Sequence, residues 1–205
     1  MLKRLIDVCL SAVALIVLLP LLAIIALLVR ADSPGPALFR QERIGRDRER
    51  FTVFKFRTMH DNVDDRLHRE AFERVANGVR TKLSNGKQVF KSNEDPRITR
   101  LGKFLRTSCL DELPQLFNVL RGEMSIVGPR PALEWELAYY KEWHLRRFDV
   151  KPGLTGPWQI HRAEAENLDD MLRMDVEYCD SPSVWQDIRL IALTVPAIVK
   201  ERGGF

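Results

Sequence analysis

From Val8 to Val29 the chain is apolar, with Ser11 and Pro20 the only polar or helix-breaking residues. A helix apolar on every face belongs in lipid or deep inside a large core, and a chain of 205 residues offers little of the latter. Twenty-two residues suffice to cross a hydrocarbon core of about 30 Å at about 1.5 Å per residue. A cleaved leader has an apolar stretch of about 7–15 residues ending at small residues. This run is longer and is followed by Arg30-Ala31-Asp32, so retention is expected. Pro20 removes one helical hydrogen bond and splits the run into halves of about 15–18 Å, neither of which spans the bilayer alone. Lys3 and Arg4 precede the run and Arg30 follows it, so both flanks are basic. The residues alone leave two arrangements open: a kinked transmembrane helix, or a re-entrant helical hairpin that enters and leaves by one face. In the hairpin, the Ser11 hydroxyl is a candidate partner for backbone groups freed near Pro20.

The mean hydropathy of −0.19 conceals this asymmetry. The net charge is +4 and the pI about 9.1. Arg40, Arg43, Arg46, Arg48 and Arg50 crowd behind the apolar run. Beside a membrane anchor, such a cluster suits anionic lipid headgroups, at roughly 1 kcal/mol per basic residue near the surface, rather than nucleic acid. Cys9, Cys109 and Cys179 have neither disulfide pairing nor metal-ligand spacing, which fits a reducing compartment. No histidine stands near Cys109 in sequence to make it a nucleophile.

The remainder reads as mostly α with little β. A turn is expected over 31–36 and a short strand over 51–56. Helices are expected over 61–77, 98–107, 113–120, 134–147, 168–178 and 185–202, with a polar loop or lid over 78–93. The helix at 98–107 carries Arg100, Lys103 and Arg106 as a basic stripe. That at 134–147 bears Trp135, Tyr139, Tyr140 and Trp143, which suit either a bilayer interface or core packing. Gly153 and Gly156 permit a tight loop.

The richest stretch is residues 107–131, TSCLDELPQLFNVLRGEMSIVGPRP. Asp111 and Glu112 precede a short amphipathic helix, and Pro129-Arg130-Pro131 closes the run. Adjacent helical carboxylates point about 100° apart, so they serve separate tasks, such as nucleophile and metal ligand. Arginine's planar fork, on a backbone restricted by two prolines, suits phosphate oxygens. The combination points to phosphoryl chemistry. A glycosidase reading fits poorly, because paired carboxylates for that task lie about 5–9.5 Å apart across a sugar. A catalytically silent membrane adaptor is the alternative from another class.

These motifs, with Lys3-Arg4 and Asp7, Arg43-Ile44-Gly45, Lys55-Phe56-Arg57-Thr58-Met59, Asp95-Pro96-Arg97-Ile98-Thr99 and Pro152-Gly153-Leu154-Thr155-Gly156, occur in order along nearly the whole chain. The set resembles the bacterial sugar transferases, the small monotopic phosphoglycosyl transferases that start glycan assembly. The resemblance implies a re-entrant membrane element over 1–30 and a cytoplasmic catalytic domain with interfacial amphipathic helices over 31–205. It places the protein at the cytoplasmic face of the bacterial inner membrane. It implies that Asp111 attacks the β-phosphorus of a UDP-sugar and releases UMP, and that a polyprenyl phosphate then accepts the sugar phosphate. Glu112 becomes a Mg2+ ligand, and Lys55, Arg57, Arg97 and Arg130, the last held between Pro129 and Pro131, line the phosphate site. In contrast to larger relatives, no further membrane domain is expected ahead of the core. His161-Arg162 stands where relatives often carry Gly-Arg, and Leu19 where some carry serine. The sugar is not encoded in these motifs, and a homodimer is one oligomeric option.

Overall fold

The structure is a computed structural model and describes residues 2–60, 66–78, 95–161, 165 and 167–201. It is mostly helical with few strands. The apolar run forms one helix, α1 (Leu2–Asp32), about 46 Å long by its residue count. Its length and composition are sufficient to cross a membrane. The chain stays helical through Pro20, with no intervening turn. Ser11 lies more than two turns before that proline, and its buried Oγ has no hydrogen-bond partner. It therefore does not serve the backbone at Pro20.

One face of α1 packs inward along the whole helix. Asp7, Ser11, Leu15, Leu22, Ile25 and Val29 are buried at steps of three, four or seven residues, one stripe of a 3.6-residue period. The remaining apolar surface is exposed, Ile16, Val17 and Leu27 among it. Both ends are pinned. At the start, Lys3 Nζ donates to Asp187 at 2.6 Å and to the Val127 carbonyl at 3.1 Å. Arg4 donates to the carbonyls of Val119 and Leu120, and Asp7 accepts from Ser125 Oγ and the Ile126 N–H. At the far end, the Arg57 guanidinium donates to the carbonyls of Val29, Ser33 and Pro34. Helix C-termini leave carbonyls without intrahelical partners, and a guanidinium fork satisfies several at once.

An antiparallel hairpin follows, β1 (Leu38–Ile44) and β2 (Arg50–Phe56), paired from Leu38↔Phe56 to Ile44↔Arg50. Its connection passes through Asp47 and Arg48 in left-handed backbone, at φ 56° and 61°. β1 was not foreseen, because its arginines read as a basic cluster rather than as the polar half of a strand. After α2 (Arg66–Ala76), α3 (Arg100–Thr107) begins at Thr99, whose Oγ1 accepts from the Gly102 N–H at 2.9 Å. α3 lies directly on the end of the hairpin. A Cβ on Gly102 would stand 2.1 Å from the Thr58 carbonyl oxygen, so only glycine fits.

A single 3₁₀ turn, Leu110–Glu112, leads to α4 (Gln115–Arg121), whose fully buried Asn118 holds β2. Its Nδ2 donates to the Thr52 carbonyl, and its Oδ1 accepts from the Phe54 N–H. β3 (Ser125–Val127) and β4 (Gly153–Thr155) form a short parallel pair. Between them, the helix expected over 134–147 is two 3₁₀ helices, Glu134–Tyr139 and Glu142–Phe148. Each has its own N-terminal stop: Glu136 accepts from the Leu133 N–H, and His144 Nδ1 from the Lys141 N–H. Aromatic residues are also middling helix formers. Their rings pack within the fold, with Trp135 and Tyr139 edge-on to Phe72 of α2. α5 (Pro157–His161), α6 (Leu168–Asp180) and α7 (Val184–Glu201) complete the chain. The loop read over 78–93 lies, apart from Gly78, outside the described residues, as does Arg162.

Replacing Gly102 with alanine forces α3 off the hairpin. Overpacking of this kind costs about 1–3 kcal/mol. Thermal unfolding in detergent is expected to show Gly102→Ala several degrees below the parent protein. An unchanged midpoint would show that α3 does not rest on Thr58.

Candidate active site

The cleft lies where the hairpin, the turn after α3, the Pro129-Arg130-Pro131 corner and α5 meet. Its walls include Arg43, Lys55, Glu112, Gln115, Arg130 and Gln159. Left-handed backbone at Cys109, φ 57°, reverses the chain after α3 and opens the 3₁₀ turn that carries Asp111 and Glu112. Both carboxylates are buried. Glu112 accepts from Lys55 Nζ at 2.7 Å and lies 4.0 Å from Arg130 Nη1. α4 has only seven residues, so nearby cations, rather than a helix end, supply most of the positive potential.

The Pro-Arg-Pro corner is fixed through three consecutive carbonyls. Pro129 accepts from the Gly153 N–H at 2.8 Å, Arg130 from Arg147 Nη2 at 2.7 Å, and Pro131 from Arg43 Nη1 at 3.0 Å. Close backbone contact makes this possible: a Cβ on Gly153 would stand 2.1 Å from the Gly128 nitrogen. Arg147 is itself oriented by an ion pair with fully buried Asp175 at 2.8 Å and by the Tyr140 hydroxyl. Arg130 thus projects from a backbone with little freedom.

Cations outnumber carboxylates here. Burial, opposed by Glu112 and aided by Arg130, lowers the Lys55 pKa below its ordinary value. Burial, with Arg130 beside it, brings Arg43 down to about 10. Burial also lowers Arg106, against the pull of Asp111 and Asp95. Arg106 Nε is buried without a hydrogen-bond partner. Four cations, Arg43, Lys55, Arg106 and Arg130, therefore surround two carboxylates, leaving a surplus that suits a polyphosphate.

Not every expected phosphate ligand joins them. Lys55 and Arg130 line the cleft with Glu112, whereas Arg57 is committed to the C-terminus of α1. Arg97 forms a fork with Asp95 next door in sequence, with Nη2 to Oδ2 at 2.6 Å. That contact holds the Asp95 carboxyl below its usual range. Asp95 bears electrostatically on Arg106, which in turn bears on Asp111, so the Arg97 segment adjoins the site. Sequence reasoning missed Arg43, counted in the basic cluster behind the apolar run, and Arg106, counted in a basic stripe. It also passed over Gln115 and Gln159, whose Nε2 and Oε1 are buried without partners. Their neutral side chains gave no chemical signal.

A sequence model of bacterial sugar transferases matches residues 1–201. The chain belongs to the bacterial sugar transferase family. It is 40% identical over 214 residues to an undecaprenyl-phosphate glucose phosphotransferase of Komagataeibacter xylinus, covering 99% of this chain and 37% of that protein. It is also 40% identical, over 203 residues, to a UDP-glucose:undecaprenyl-phosphate glucose-1-phosphate transferase of Escherichia coli, covering 95% of this chain and 39% of that one. The chain thus spans about two fifths of these relatives. The exopolysaccharide production protein ExoY of Rhizobium meliloti is nearer in size: 37% identity over 205 residues covers all of this chain and 88% of ExoY.

The clamp behind Arg130 carries a pH signature. Burial, against the pull of Arg147, pushes the Asp175 carboxyl up to about 6 from an ordinary 3.8. Between those values the folded chain holds a proton that the unfolded chain releases, so this group's contribution to stability falls as pH rises through that window. The stability of the parent relative to Asp175→Asn, measured by denaturant unfolding, is expected to decline from about pH 4 to about pH 6 and then level. A flat difference would return the carboxyl to its ordinary value.

Proposed function

We propose that the protein transfers a sugar 1-phosphate from a UDP-sugar to a polyprenyl phosphate, as the names of its relatives describe for undecaprenyl phosphate, as the first membrane step in building a glycan. The observation that carries this reading is the buried Asp111–Glu112 pair set among four cations. The diphosphate of the donor seats against Lys55, Arg106 and Arg130, with Arg43 behind them. An Asp111 carboxylate oxygen attacks the β-phosphorus. The bond from that phosphorus to the bridging oxygen breaks, and UMP departs with the electron pair. An oxygen of the polyprenyl phosphate then attacks the same phosphorus, the Asp111 carboxylate leaves, and a polyprenyl diphosphate-linked sugar is released.

Glu112 fits magnesium. That ion takes one or two carboxylates and completes its shell with water and substrate phosphates. Among the described residues no three His, Cys, Asp or Glu side chains gather to form an all-protein cage, which suits such a shared shell. Lys55 Nζ donates to the Glu112 carboxylate at 2.7 Å and holds it in place. When bound, magnesium neutralises diphosphate charge.

Two features support a re-entrant α1 and a body seated on one membrane face, which the family resemblance makes the cytoplasmic face of the inner membrane. Both its ends are held by the same folded body, through Lys3, Arg4 and Asp7 at one and Arg57 at the other. A helix crossing to the far side would leave one end without these partners. Exposed Phe104 on α3, Phe117 on α4 and Trp185 on α7 support an interfacial seat for those helices.

In detergent with magnesium and undecaprenyl phosphate, the protein is expected to release UMP from one member of a UDP-sugar panel, and EDTA to stop it. Asp111→Asn is expected to lose at least about 10⁴-fold in rate while keeping its unfolding midpoint. Donor alone is expected to add the mass of one phospho-sugar to the parent protein and none to the variant. Substantial turnover by Asp111→Asn would remove the nucleophile assignment.

A further inference from the structure

A second basic site lies outside the cleft. The tip of the β1–β2 hairpin, the end of α4 and Lys151 bound an open groove of about 980 Å³ that shares no lining residue with the cleft. Gly122, in left-handed backbone at φ 84°, lines it. Arg4 Nη2 and Lys151 Nζ lie 3.3 and 3.4 Å from the point where a Cβ would stand. Arg46 and Arg121 line the same groove.

These cations have few counter-charges. Of the three carboxylates in the groove, Asp47 pairs with Arg46 at 2.8 Å, and Glu123 accepts from Asn118 Nδ2 at 2.7 Å, leaving Glu49. Asp7, the carboxylate nearest Lys151 from α1, is bonded to Ser125 and Ile126. Lys151 has no hydrogen bond or ion pair among the described residues. Burial, then the proximity of Arg4 and Arg46, lowers its pKa below the ordinary lysine value. Lys151, set among Arg4, Arg46 and the Arg121 that lines the same groove, gives it a positive potential that suits an anion.

Its position indicates which anion. Arg4 is in the first turn of α1, between exposed Leu2 and Leu5. Phe117, exposed, is one turn before Arg121 on α4, and exposed Phe39 adjoins Arg40 at the groove's edge. Cations bordering exposed apolar side chains occupy the headgroup layer of a bilayer. We propose that the groove beside Gly122, lined by Arg46, Arg121 and Lys151 with Arg4 nearby, binds the phosphodiester of an anionic phospholipid headgroup. The bound lipid fixes the end of α4 and the start of α1 at the membrane surface. This assignment does not depend on the transfer reaction.

Native mass spectrometry tests it, using the full chain released from micelles holding equal phosphatidylglycerol and phosphatidylcholine. The parent protein is expected to retain phosphatidylglycerol preferentially. Lys151→Gln and Arg46→Gln are each expected to reduce that retention about fivefold, and the double variant more, with unfolding midpoints in phosphatidylcholine unchanged. Arg121→Gln provides an independent third variant. Equal retention of the two lipids, or a preference unchanged in the double variant, overturns the proposal. So does displacement of phosphatidylglycerol by inorganic phosphate or by undecaprenyl phosphate, which would make the groove a general phosphate site or an acceptor site.

Discussion

Four arginines hold this fold by donating to backbone carbonyls where the chain ends a helix or bends. Arg57 closes the end of α1, Arg4 closes the end of α4, and Arg43 and Arg147 fix the Pro-Arg-Pro corner. In each case the chain stops or bends where carbonyls face inward, and an unpaired buried carbonyl costs about 1–3 kcal/mol. A guanidinium presents five donors in a planar fork and stays charged at any relevant pH, so it serves where lysine would not. Removing any one of the four orphans carbonyls and leaves a void for water. α1, the hairpin and the cleft are thus fixed relative to one another by charge-assisted hydrogen bonds as much as by apolar packing.

The same device separates two roles that arginine plays here. Arg43 and Arg147 are structural, yet they are buried beside Arg130 and raise the potential at its guanidinium. Arg130 keeps its side chain for the cleft because its carbonyl is already engaged. Asp175 balances Arg147 from behind at 2.8 Å, so the positive surplus faces Glu112 rather than the interior. A rigid backbone under a charged side chain is the condition for electrostatic stabilisation of a transferring phosphoryl group.

Much of this was legible in the sequence, and the failures have physical reasons. The length of α1 and the placing of Asp111 and Glu112 beside cations followed from composition and order. Lys55 and Arg130 were separable from surface charges by their motifs. Arg57 was not separable from Lys55, two positions away, because strand alternation sends both to the same face and only the packing of α1 decides what each meets. Arg43 read as one of a basic cluster, since nothing local marks a buried arginine until its carbonyl partner, 88 residues on, is known. The segment over 134–147 had helical spacing but breaks in two, because Glu136 and His144 each turn back to cap a new start. Long-range partners, not local preference, made these choices.

The ion pair between Lys3 and Asp187 joins residues 184 positions apart. Closing so long a loop is slow and is rewarded only once its far end exists. During synthesis α1 is made before its docking partners on β3, α4 and α7. Through that interval the apolar helix has no protein surface to cover its inner stripe, and lipid is the available shelter. The rest of the body is therefore assembled against a helix made before it.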